Sequence, residues 1–160
     1  MTLEIRPLSP ADIEPVVRLS LRAWAPAFAS MEVQYGEMYR WLRPDGLAGQ
    51  DQAVRDVLAA DGAHTWVADY AGDQAVGFVS VQLVPDQSLG VIEMIAVDPE
   101  HQHCGVGASL TRFAVDWMRE AGMHVAMVET GGDAGHAPAR RLYESAGFRD
   151  ISPARYWMSL

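Results

Sequence analysis

The chain of 160 residues has a single cysteine, Cys104. A lone thiol closes no internal disulfide, so the fold draws nothing from cross-links, and the expected compartment is a reducing one, the cytoplasm. Long apolar runs are missing as well. No stretch approaches the roughly 20 residues that a membrane span needs, and the opening Met1-Thr2-Leu3-Glu4-Ile5-Arg6 lacks the apolar centre of a secretory leader. Basic residues are scarce, 12 against 21 acids, for a formal net charge of −9. A general nucleic-acid binder needs a basic face, so that class is set aside. The acids are dispersed rather than gathered into a tail; they favour solubility and steer cationic ligands inward. Repeats, low-complexity tracts and long linkers are absent too. What is left is 49% hydrophobic residues, ordinary for a globular chain, and a length that fits one domain over residues 1–160.

Hydrophobic spacing orders the chain. Leu3-Glu4-Ile5-Arg6 alternates and reads as a short strand. Ser9-Pro10-Ala11-Asp12 has the residues of a helix start, and Ile13, Val16, Val17, Ser20 and Leu21 follow helical spacing. Aromatics gather in residues 24–41, among Pro26, Gly36 and Pro44. A second helix is predicted over residues 50–60. Strands follow at 65–69, 75–83 and 91–97, with turns at 71–74 and 85–87, so the first two pair antiparallel. The run 91–97 is apolar on both faces and belongs inside the sheet. Val106, Leu110, Phe113 and Trp117 mark a buried stripe on a helix over 105–121, closed by Gly122. A strand at 124–129, a short helix about residues 139–146 and two last strands at 148–150 and 155–159 complete the prediction. The sum is an α/β chain with a mixed sheet and helices on both faces.

The most telling segment is Gln102-His103-Cys104-Gly105-Val106-Gly107. It follows a strand and opens a helix, and such a loop turns its N–H groups toward an anion. The phosphate loop of nucleotide hydrolases needs a lysine after its last glycine, and none stands here. A dinucleotide fingerprint needs a third glycine where Leu110 stands. His101, His103 and Cys104 are zinc-type ligands, yet they crowd too closely to reach one ion together, so no metal is expected. Cys104 has no histidine–acid relay in the pattern that would make it a nucleophile.

The loop resembles the pyrophosphate-binding Q/R-x-x-G-x-G/A segment of the GCN5-related N-acetyltransferases, and the preceding Val97-Asp98-Pro99 is typical of that family. Further on, Ala139-Arg140-Arg141-Leu142-Tyr143-Glu144-Ser145-Ala146-Gly147-Phe148 is similar to the family's second signature, A-x-x-L-Y-x-x-x-G-F. The two stand in the right order and at the right separation, and the likeness covers residues 65–160. It implies the family's acyl-CoA N-acyltransferase fold, with a mostly antiparallel seven-stranded sheet. It also implies acetyl-CoA as acetyl donor and direct attack by a primary amine of a small molecule or protein. Strands four and five would part at their ends, and pantetheine would lie along the backbone of Ile95, Ala96 and Val97. Gln102, His103, Cys104, Gly105, Val106, Gly107 and Ala108 would cradle the pyrophosphate, with His136, Ala139 and Tyr143 against the arm. The family commonly has asparagine where His136 stands, and arginines where His103 and Cys104 stand. Homodimers are common in the family, so a two-fold assembly is one expectation.

Two side chains are candidates for the proton chemistry. Glu93 is the only charged residue in 91–97, and a carboxylate on a strand suited to burial is pushed toward a basic working range. Its other reading is a partner for an arginine or hydroxyl across the sheet. Tyr143 can donate to the departing thiolate as a neutral phenol, or simply fill the core. Trp24, Tyr35 and Tyr39 either wall an amine pocket, since cations favour aromatic faces, or pack helices. The rival from another class is an acyl-CoA-binding sensor without catalysis.

Overall fold

The computed structural model describes residues 2–72, 74–151 and 154–160. Its sheet has five strands in sequential order: β1 (Leu3–Pro7), β2 (Ala63–Tyr70), β3 (Gly77–Val84), β4 (Leu89–Val97) and β5 (Val125–Val128). The first four pair antiparallel, and β5 lies parallel to β4. A parallel partner needs a crossover, and α4 (Val106–Glu120) supplies it. Its buried stripe of Val106, Leu110, Thr111, Ala114 and Met118 covers one face of the sheet. Gly90 is where β4 meets this helix most closely, because a Cβ there would lie 2.6 Å from Met118 Cγ.

The other face is covered by α1 (Ile13–Tyr35) and α3 (Gly49–Ala59), with the short α2 (Tyr39–Leu42) between them. Val16, Val17 and Leu19 of α1 and Val54 of α3 pack with Val67 and Phe78 from the sheet. The helical spacing read from Ile13 runs on through the aromatic segment to Tyr35, across Pro26. Proline removes the N–H that would reach the carbonyl of Arg22, so this turn is held by tertiary packing rather than by its own ladder.

One polar network locks the entry. Arg6 of β1 donates to buried Asp69 of β2 at 2.7 Å and, through both terminal nitrogens, to Asp12 at 2.8 and 2.9 Å. The hydrogen bond from Arg6, opposed by burial and helped by Ser9, holds the Asp12 carboxyl far below the ordinary carboxylate range.

The sheet has five strands among the described residues, not the seven expected. Residues 148–150 and 155–159 form no ladder. The alternation of Arg155, Tyr156, Trp157 and Met158 imitates a strand, but a strand exists only against a partner. Phe148 instead turns its ring edge-on to Tyr143 at 6.0 Å, and Trp157 meets Tyr35 of α1 at 5.9 Å. Of the expected turn at 71–74, Asp73 lies outside the described residues. No helix among the described residues is long and apolar enough to cross a membrane.

Candidate active site

The site begins where β4 and β5 part. Their ladder runs from Leu89↔Val125 to Ile92↔Val128 and stops, whereas β4 continues to Val97. From Glu93 to Val97, β4 is therefore paired on the β3 side alone. The same point carries a β-bulge: Ser80 pairs with Met94 and Val81 with Ile92, which leaves Glu93 as the extra residue. A bulge re-aims the side chains around it, and Glu93 is exposed. The burial expected for this carboxylate is thus not found, because the extra residue turns it out of the packed layer. It lines an open pocket of about 340 Å³ with Val91, Met127, Val57 of α3 and, just past β5, Glu129. No arginine or hydroxyl pairs with Glu93 among the described residues.

Beyond Val97, Asp98 caps a single 3-10 turn, accepting from the N–H of Glu100 at 2.9 Å. Arg22 of α1 reaches across to Asp98 at 3.0 Å and ties the turn to that helix. The side-chain amide of Gln102 donates to the carbonyl of Val97 at 3.0 Å and so anchors the loop to the end of β4. His103 and Gly105 both adopt left-handed backbone, with φ of 60° and 84°. That alternation turns successive N–H groups to one side. Among the described residues, no main-chain N–H from 102 to 108 meets a carbonyl or side-chain acceptor; the first paired one is Ser109, on Gly105. The N-terminus of the 15-residue α4 adds its positive end. A run of free donors at a helix start is a cradle for a diphosphate.

One exposed arginine that sequence spacing does not single out stands near this loop. Arg112, one turn into α4, is exposed and pairs with no described residue. It lines a groove with Ala108, Arg119 and, from α5 (Ala137–Ser145), Leu142 and Ser145. Arg140 is occupied elsewhere, donating to the carbonyls of Gly131 and Asp133.

Gly107 draws α5 into place. A Cβ there would stand 3.3 Å from Leu142 Cδ2 and 3.7 Å from Val97 Cγ2, so three elements meet because a side chain is missing. Tyr143 follows Leu142 and is 8% exposed. Burial raises its phenol to about 12, which keeps it protonated across the neutral range. Ala139, four residues before Tyr143, lies on the same face of α5. His136 stands at the N-terminal end of α5, its Nδ1 2.6 Å from Oδ1 of Asp133.

The expected acceptor-side aromatics separate. Trp24 is edge-on to Phe78 at 6.3 Å in the lower core. Tyr35 meets Trp157, and Tyr39 is half-buried beside Gly46. No ring contact joins the three among the described residues. His101, His103 and Cys104 form no ligand set either: no group of three or more His, Cys, Asp or Glu able to hold a metal occurs among the described residues.

A mixed sheet whose fourth strand loses its neighbour halfway, beside a donor-lined loop that opens a helix, leaves main-chain groups free for an extended ligand with an anionic end. Residues 35–148 match the Acetyltransferase (GNAT) family, and the chain belongs to that family. A mycothiol acetyltransferase of Thermomonospora curvata is 32% identical over 120 residues, covering 68% of this chain and 39% of that protein. The chain thus spans about two fifths of the length of such curated relatives. A putative GNAT acetyltransferase of Desulfovibrio desulfuricans has the same fold, with a TM-score of 0.71, 25% identity, and coverage of 94% and 87% of the two chains. The PaiA N-acetyltransferase of Thermoplasma acidophilum, solved in complex with coenzyme A, follows at a TM-score of 0.68, 20% identity, and 93% and 91% coverage.

Proposed function

We propose that the chain transfers an acetyl group from acetyl-CoA to a primary amine by direct attack. One observation carries this reading: the half of β4 without a partner runs straight into a loop whose N–H groups are all unused. The first offers the main-chain groups of Ile95 and the N–H of Val97, which face away from β3 on either side of Ala96, to the amides of a pantetheine arm, as an added strand would. The second offers residues 102–108 to the diphosphate, with Arg112 beside them for a further phosphate.

The acceptor enters through the pocket at the bulge. Glu93 and Glu129 attract an ammonium, and Val57, Val91 and Met127 take its apolar body, so the acceptor class is a cationic amine. An amine is nucleophilic only after losing a proton. Glu93 accepts it, directly or through water. The lone pair then forms the C–N bond as the C–S pair leaves with sulfur. Tyr143, neutral by burial, donates a hydrogen bond to that sulfur.

Calorimetric titration with CoA, followed by thiol release from acetyl-CoA with a panel of amines, tests the reading. Binding and amine-dependent release are expected. Binding without release from any amine supports a sensor instead, and failure to bind CoA removes the proposal altogether.

A further inference from the structure

Acetyl transfer from an ammonium has more protons to move than two candidate groups can handle. The acceptor nitrogen sheds one proton to become nucleophilic. It must shed a second as the tetrahedral adduct collapses to the neutral amide. Sulfur leaves as a thiolate hydrogen-bonded by Tyr143 and takes one proton back from solvent, so one proton is released overall. Glu93 answers for the first and Tyr143 supports sulfur; the second N–H proton still needs a receiver.

Past β5 the chain turns at Gly131 and enters a short 3-10 turn, Ala134–His136, before α5. Asp133 caps that turn and is itself buried, its side chain 4% exposed. Its carboxylate accepts from the N–H of Gly135 at 3.1 Å and bonds His136 Nδ1 at 2.6 Å. Burial pushes this carboxyl up, yet hydrogen bonds from Ser30 and His136 prevail and hold it below the ordinary range. A carboxylate that stays charged is an acceptor only, so Nδ1 carries the hydrogen of the imidazole. Nε2 is left as the free ring nitrogen, a lone pair when the ring is neutral.

The ring is backed by main chain on one side. A Cβ on Gly131 would lie 2.6 Å from Nδ1 and 3.0 Å from Cε1 of His136, so the imidazole lies flush against the backbone leaving β5. Gly135 in turn meets α1, where a Cβ would stand 2.5 Å from Ser30 Cβ and 3.0 Å from Ala27 Cα. Three elements therefore fix His136: the exit of β5, the start of α5, and α1 on the acceptor side of the sheet. It stands in the turn that leads into α5, seven residues before Tyr143. The charged group bonded to the ring is Asp133. Arg140 of α5 lies behind it, held on the carbonyls of Gly131 and Asp133. From α1 the facing group is the neutral Ser30 hydroxyl, which accepts from Gly135 at 2.9 Å.

We infer that His136, oriented by Asp133, receives the second acceptor proton at Nε2 as the C–N bond is completed and the C–S bond breaks. This rests on the acyl-transfer reading above. The proton passes from the adduct nitrogen to the Nε2 lone pair, and the resulting imidazolium is stabilised by the Asp133 carboxylate until solvent takes the proton.

The test is His136→Asn, which keeps a hydrogen-bonding side chain and removes the proton carrier. CoA affinity is expected to stay within about threefold of wild type. Turnover is expected to fall by about 10²-fold, the low end of general acid–base effects, and the acid limb of kcat against pH attributable to this ring is expected to vanish. Asp133→Asn frees the tautomer and is expected to lower kcat while the KM for acetyl-CoA is unchanged. If His136→Asn keeps the wild-type pH profile and turnover, or loses CoA affinity with kcat intact, the inference is overturned. An inactive wild-type protein instead sinks the parent reading, so the two failures are distinguishable.

Discussion

Replacing Tyr143 with phenylalanine removes one oxygen and tests the proposed chemistry most directly. The phenol lies at about 12 because it is buried. An ordinary thiol titrates near ~8.5. Handing the proton fully to a thiolate is thus uphill by about 3.5 units, or about 5 kcal/mol, so Tyr143 stabilises developing charge on sulfur through a hydrogen bond while keeping its proton. A hydrogen bond to a charged group is worth about 1.5–3 kcal/mol, which converts to a loss of about 10- to 150-fold in kcat. The hydroxyl has no hydrogen-bond partner among the described residues, and the ring keeps its contact with Phe148. Stability should accordingly change by less than about 1 kcal/mol, and CoA affinity should stay nearly intact. The assay is release of free thiol from acetyl-CoA with several amines at saturating concentrations, beside a CoA titration of each variant. Unchanged kcat with more than one good amine would refute the donor role. A large loss of CoA affinity would show that the oxygen serves binding rather than the leaving group.

Three further expectations concern the scaffold. Arg6→Ala leaves the fully buried Asp69 carboxylate without its cation, with only the Gly72 N–H donating to it; because the Arg6 side chain is itself 36% exposed, the cost is discounted from that of a buried pair to about 2–3 kcal/mol, read as a lower denaturant midpoint. Since the folded Asp12 stays ionised where the unfolded one takes up protons below the ordinary carboxyl value of about 3.9, wild-type stability should hold above that region and decline as pH falls through it, and Arg6→Ala should flatten the decline in melting temperature. Gly135→Ala must push Ser30 or the backbone of α1 aside, for about 1–3 kcal/mol of overpacking, with kcat falling as His136 shifts; a wild-type melting curve would show that the packing there is loose. Gly105→Ala forces a side chain into left-handed backbone with nothing crowding it, costing about 1 kcal/mol, and should weaken CoA more than it weakens the fold in a paired titration and melt.

Much of this arrangement was legible in the residues. The loop after Val97 announced itself through Gly105 and Gly107, because such positions answer to local backbone demands that sequence displays directly. Helix α4 and the strands before it followed from spacing, with ends within one or two residues. What could not be read depended on partners. The bulge at Glu93 exists only in the register of β4 against β3, and the apolar residues on either side of Glu93 conceal it, so the exposed setting of that carboxylate was invisible. Spacing alone set no end for the helix that begins at Ile13; packing against α3 and the 3-10 turn at Ala134–His136 carries α1 through Pro26 to Tyr35. The terminal alternation at 155–159 failed for the opposite reason: the pattern was present and a neighbouring strand was not. Asp133 and His136 stand three apart, an unremarkable spacing until the backbone presses one against the other.

The early end of the ladder between β4 and β5 has a consequence outside catalysis. Main-chain donors and acceptors along one side of Glu93–Val97 stand without a strand to satisfy them, and such a margin is a template on which other chains can nucleate cross-β growth. Glu93, placed at the head of that margin, acts as a gatekeeper whose charge repels newcomers. A bound carrier would cap the margin outright, so shelf life in concentrated solution should track ligand occupancy, quite apart from any change in melting temperature.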